Sequence, residues 1–175
     1  MDHSVETESV SLWGVLHEGT LTRIFSDQPR QCVLLEAVVP HLNGYYDWPE
    51  GAPIRFELSE VSELKVNQWL PELGEAKEDL GARRGSRRQW QAQERSMPPN
   101  YVVISEATVT RSRGRVGVSI NGFEHTAAGE TNVLLEIAVS GSELKVETPD
   151  GPTDVEKLIH IGDAYWDNFD KKRKK

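Results

Sequence analysis

The pentapeptide Ser62-Glu63-Leu64-Lys65-Val66 returns unchanged as Ser142-Glu143-Leu144-Lys145-Val146. Upstream of the first copy stands Glu18-Gly19-Thr20-Leu21-Thr22-Arg23, and upstream of the second, in the same order, Glu106-Ala107-Thr108-Val109-Thr110-Arg111. Such recurrence constrains the fold more than any single motif, because related segments build related units that bury their apolar faces against one another. Leu64 and Val66, like Leu144 and Val146, alternate with polar neighbours at the period of a half-buried strand. The expected fold is therefore mainly β, with two related β-meanders (11–69 and 101–150) forming one sandwich or open barrel, plus a C-terminal α-helix. Aligning the apolar alternation of the copies requires a one-residue shift, which implies either a bulge or a false match.

Around this frame the chain divides by composition. Residues 1–10 are polar and read as a flexible N-terminus. Ser11 to His17 and Thr20 to Phe25 read as extended, Ser26-Asp27-Gln28-Pro29 as a turn, and Gln31 to Val39 as a mostly apolar strand ended by Pro40. His41 to Pro53 reads as a loop, and Ile54, Phe56 and Leu58 restart strict alternation. Residues 70–100 form a linker or excursion with a possible short helix over Pro71 to Leu80; its Arg83-Arg84-Gly85-Ser86-Arg87-Arg88 patch beside Trp90 is read as a solvated segment. Tyr101 to Arg111 and Arg115 to Ile120 are strands joined by a tight turn at Ser112-Arg113-Gly114. Asn121-Gly122 signals another turn and Phe123 to Asn132 a loop. Val133 to Val139 and Glu143 to Thr148 are expected to form a hairpin.

The helix is expected over 151–170. Thr153 suits its N-cap with Glu156 completing a capping box, and Val155, Leu158, Ile159, Gly162, Tyr165, Trp166 and Phe169 share one face. The basic tail 171–175 has three readings: balance of the helix dipole, an anchor to an anionic surface, or a nuclear-import type signal. The first is adopted.

At 175 residues the chain is long enough to bury about two thirds of its unfolded surface in one structural domain without staples. Its one cysteine, Cys32, sits in an apolar run and is expected to be a buried, inert thiol. The formal net charge is -8, of which the tail supplies +5, leaving -13 on the rest. An acidic body disfavours specific nucleic-acid binding and favours a basic protein partner. The first residues lack the basic start and apolar core of a signal peptide, and no run is long enough for a membrane span, so a cytoplasmic protein is expected.

Two candidate sites follow. The first is the aromatic loop Tyr45, Tyr46, Asp47, Trp48 and Glu50, since aromatic rings supply large contact area and a polar handle at little entropic cost. The second is a pocket between the two meanders lined by His17, Glu18, His41 and His125. Adjacent residues on a strand face opposite ways, so His17 and Glu18 make a poor acid–base pair and no catalytic residue is assigned. The histidines lack the close spacing of a zinc pair, and neither a metal nor a cofactor is expected. The absence of a phosphate loop, a nucleophile elbow and HExxH leans the reading away from an enzyme.

Leu16-His17-Glu18-Gly19-Thr20-Leu21, with the following turn and the strand Cys32 to Val39, resembles bacterial β-rich proteins catalogued as uncharacterised or as immunity proteins of polymorphic-toxin systems. The resemblance covers the first third of the chain. It implies a small non-catalytic antidote that plugs a toxin. The expected function is accordingly protein binding; a small-ligand protein, a metal protein or an enzyme using the histidine pocket is the alternative, and a homo-oligomer joined through strand edges is a further possibility.

Overall fold

The computed structural model describes residues 7–27, 29–69, 95–96, 102–125 and 132–174. The possible helix over Pro71 to Leu80 and the Arg83 to Trp90 patch lie outside the described residues. In chain order the elements are β1 (Glu8–Ser11), α1 (Trp13–Leu16), β2 (Thr20–Asp27), β3 (Cys32–Val38), α2 (Pro40–Tyr45), β4 (Pro53–Ser59), β5 (Glu63–Trp69) and β6 (Arg95–Ser96). They continue with β7 (Val102–Ser112), β8 (Arg115–His125), β9 (Asn132–Gly141), β10 (Glu143–Thr148), β11 (Gly151–Thr153) and α3 (Val155–Arg173).

Period-two alternation decides which side chains meet. Val33, Leu35 and Ala37 of β3 face inward with Ile54, Phe56 and Leu58 of β4 and Val116, Val118 and Ile120 of β8. In β7 the inward set changes parity, from Val102 and Ile104 to Ala107 and Val109, because the β7–β8 register shifts between Ile104 and Glu106. One extra residue turns the following side chains over and restores the apolar face.

The strands form one antiparallel sheet in the order β11-β10-β4-β3-β2-β7-β8-β9-β5, with β1 added on β7 and β6 on β2. Its end strands β11 and β5 do not pair with each other, so the sheet is open. Two long stretches bend together to curve it. β4 continues into β5 through Glu60 to Ser62, and β9 into β10 through Ser142, while β4 pairs with β10 and β5 with β9. The two pentapeptides lie in this crossing. Leu64 stands opposite Val139 and Leu144 opposite Leu58, so each copy pairs with the strand that leads into the other. The short additions behave alike: Glu8 faces Arg111 and Ser96 faces Arg23. The same number of positions separates Glu8 from Ser96, Arg23 from Arg111 and Glu18 from Glu106.

Several local expectations are corrected. Ser11 to His17 is not extended: Trp13–Leu16 is one helical turn, held because the Leu12 N–H donates to the Ala107 carbonyl of β7 at 2.8 Å. Pro40 ends β3 and also opens a helix, within the span read as the loop His41 to Pro53; its fixed φ and missing N–H suit the first turn. Asn121-Gly122 is no turn. β8 runs straight through it to His125, and a Cβ on Gly122 would lie 2.5 Å from the Val103 carbonyl oxygen, so this glycine serves close strand approach. β9 and β10 are not a hairpin, since their partners lie elsewhere in the sheet. Cys32 is half-buried rather than buried; desolvation, then Glu57 and Asp27, push its thiol above the usual value.

The C-terminal helix starts later than expected and runs three residues further. Gly151–Thr153 pairs with β10 as β11, and the N-cap is Asp154, whose Oδ1 accepts the Lys157 N–H at 2.8 Å. That bond and the Lys157 ammonium hold the Asp154 carboxyl below its ordinary range. Lys171, Lys172 and Arg173 belong to the last helical turn, where positive charge complements the carbonyl end.

Candidate functional site

α1 and α2 both pack against α3. Leu12, Val15 and Leu16 point into the core, which leaves Trp13, Gly14 and His17 outward as a seat for α3. Gly162 of α3 is the contact point: a Cβ there would lie 2.7 Å from the Gly14 carbonyl oxygen and 2.9 Å from Val15 Cγ2. The Trp166 indole N–H donates to that same Gly14 carbonyl at 2.7 Å. α2 approaches from the other side, pinned by the Asn43 amide donating to the Pro49 and Ala52 carbonyls at 3.0 and 3.2 Å.

Between the helices the rings form a continuous layer. Trp13 stacks on His17 at 4.5 Å and on Trp166 at 5.9 Å. His41 lies 4.6 Å from Tyr165 and 5.6 Å from Trp166. Tyr45 meets Tyr165 edge-on at 5.5 Å, and Phe169 closes the array at 5.7 Å from Trp166. Arg173 lies over the Phe169 ring at 5.9 Å. Offset and edge-on pairs of this kind each add about 0.5–1.5 kcal/mol beyond their buried area.

The structure divides the five loop residues singled out from sequence into two groups. Tyr46 and Trp48 hold the fold: the Tyr46 hydroxyl donates to the Ile161 carbonyl at 2.9 Å and the Trp48 indole to Asp150 Oδ2 at 2.7 Å, and Trp48 is 6% exposed. Tyr45, Asp47 and Glu50 remain at the surface. Of the four pocket residues, His17, Glu18 and His41 come together beside the aromatic layer, while His125 ends β8 opposite Asn132. His17 Nε2 stands 3.8 Å from Glu18 Oε1. Sequence reasoning missed Trp13, and read Trp166 and Phe169 only as the buried face of a helix. The signal was present in the aromatic positions at i and i+3 of that face, too wide for one small seat. Among the described residues no group of three or more His, Cys, Asp or Glu is placed to hold a metal ion.

The buried nitrogens His17 Nδ1 and His41 Nε2 have no hydrogen-bond partner among the described residues. Burial lowers the His41 pKa from its ordinary 6.5, the Glu18 carboxylate opposes that shift and His17 adds to it. A histidine with a depressed folded value contributes stability that is complete above its unfolded pKa and is lost as pH falls through the folded one. Unfolding midpoints should therefore be lower at about pH 5 than at about pH 7.5, and His41→Phe should flatten part of that slope. Denaturant melts of both proteins across this window check it; parallel slopes would remove His41 as the cause.

Comparison with protein-family models, with curated proteins and with solved structures finds no match to this chain. Nor is any helix among the described residues long and apolar enough to cross a membrane.

Proposed function

We propose that this protein is a non-catalytic, cytoplasmic protein-binding domain that engages a basic partner through the outer edge of the aromatic layer, as an immunity-type antidote would. One observation carries the reading: Trp13, Tyr45 and Phe169 are 47%, 39% and 40% exposed, and they are linked to one another through Tyr165 and Trp166. Large aromatics that keep this much surface while held rigid by neighbours are the residues on which interface energy concentrates. Glu18 stands beside this edge and Asp163 next to Gly14, so an incoming lysine or arginine would meet ring faces and carboxylates together. A net charge of -8 would speed encounter with such a partner. In this reading the two halves are related copies; the reciprocal pairing of the pentapeptides supports that.

The test is capture of partner from lysate of the native organism by wild type and by Trp13→Ala/Phe169→Ala, followed by affinity measurement with the retained protein. The double variant is expected to weaken binding by about 30-fold or more, since two central aromatics are removed, and salt should release the wild-type complex. Equal retention by the variant, with its fold intact by circular dichroism, would move the contact surface elsewhere.

A further inference from the structure

The β7–β8 turn lies far from the aromatic layer in sequence and carries a different chemistry. Arg111, Arg113 and Arg115 line one open concavity, together with the hydroxyl-bearing Ser112 and Ser142. We propose that this concavity is an anion site that takes a phosphate group.

Three observations carry the assignment. The first is that the guanidiniums are differently employed. Arg111 is fixed by Glu156 at 2.8 Å and Glu8 at 3.9 Å, whereas among the described residues neither Arg113 nor Arg115 has a carboxylate partner. Arg30 and Arg55 do have such partners, at 3.6 and 2.8 Å. On an acidic protein two unclaimed arginines two residues apart are poised for an external anion, which a planar fork of donors grips in two-point fashion.

The second is conformational. Ser112 pairs with Arg115, so Arg113 and Gly114 are a two-residue turn, with φ of 49° and 70°. Both positions need positive φ, which favours Asn, Asp or Gly at the first. Arginine is not the residue this turn prefers, although Glu18, Gln31, Asp47 and Glu60 also hold positive φ, and its cost is one that a bound anion would offset.

The third concerns selectivity. Glu143 lines the same concavity and has no ion pair among the described residues. Glu8 lines it too but stands 3.9 Å from Arg111; the unpaired Glu143 carboxylate repels an anion that carries no proton, but accepts a hydrogen bond from the P–OH of a monoprotonated phosphate or phosphate monoester. Phosphate is therefore favoured over sulfate of the same size.

Calorimetric titration of the full chain at about pH 6, where phosphate and its monoesters keep a monoprotonated fraction, with inorganic phosphate, O-phosphoserine and sulfate at matched ionic strength tests this. Phosphate or phosphoserine should bind at least about tenfold more tightly than sulfate, and Arg113→Gln/Arg115→Gln should weaken that binding about tenfold or more. The melting temperature of that variant should stay at the wild-type value, since both side chains are exposed. Tighter binding of phosphoserine would assign a phosphorylated partner as the source of the group, and tighter binding of phosphate the free ion. No heat with either, sulfate binding equally well, or full retention in the double variant would each overturn the proposal.

Discussion

Replacing Trp48 with alanine is expected to lower stability by about 3–5 kcal/mol, the usual result of deleting a buried large aromatic. The side chain is 6% exposed, its ring stacks on Tyr46 at 5.2 Å and its indole N–H is bonded to Asp150. Removing it leaves a cavity under α2 and frees the tyrosine whose hydroxyl holds the Ile161 carbonyl of α3. Against a typical domain stability of about 5–15 kcal/mol this is a large share. Tyr45→Ala, only three positions away but 39% exposed, should cost far less. Urea melts of the two variants make the comparison, with a fall in midpoint at unchanged slope as the expected form. A Trp48→Ala protein of wild-type stability that had lost partner binding would instead make the loop a contact surface.

Gly162→Ala should also destabilise, although alanine is favoured over glycine in a helix interior by about 1 kcal/mol. The new methyl group would sit 2.7 Å from the Gly14 carbonyl oxygen and 2.8 Å from its carbon, backbone atoms tied to β7 through the neighbouring Leu12. Neither can yield, so α3 must shift outward and the Trp166 bond to that same carbonyl lengthens. Overpacking of this sort costs about 1–3 kcal/mol, enough to exceed the gain in helix propensity. The difference in tryptophan fluorescence between wild type and variant should report the shift, and thermal unfolding the net loss. A variant more stable than wild type would show that the seat is loose and that propensity decides.

Much of the sheet was legible because period-two alternation survives in single strands. Val33, Leu35 and Ala37, or Ile54, Phe56 and Leu58, declare their inward face without reference to anything else. The Arg113-Gly114 turn was legible for the same local reason. Other features depended on partners distant in sequence. Trp13–Leu16 forms a helical turn only because β7 offers the Ala107 carbonyl. Asn121-Gly122 resembles a turn until Val103 is brought against it. The aromatic loop was recognised as unusual, yet which rings face inward is decided by α3, whose Ile161 lies more than a hundred residues from Tyr46. The Asp154 N-cap was missed because Thr153 offered the same chemistry one position earlier, and β11 claims Thr153 for the sheet.

The crossing of the two bent stretches makes the halves dependent on each other. β4 needs β10 along one side, and β5 has β9 as its partner, so either half taken alone would carry bare backbone where its mate should lie. Neither is a unit that can be exchanged, truncated or grafted on its own. Ladders that join residues so distant must wait for the whole chain, which places this topology among slow folders. Once both ladders are formed, however, they hold the halves together without help from the covalent link between them. A single cut between β5 and β6 would therefore leave a paired two-fragment molecule rather than two separate pieces.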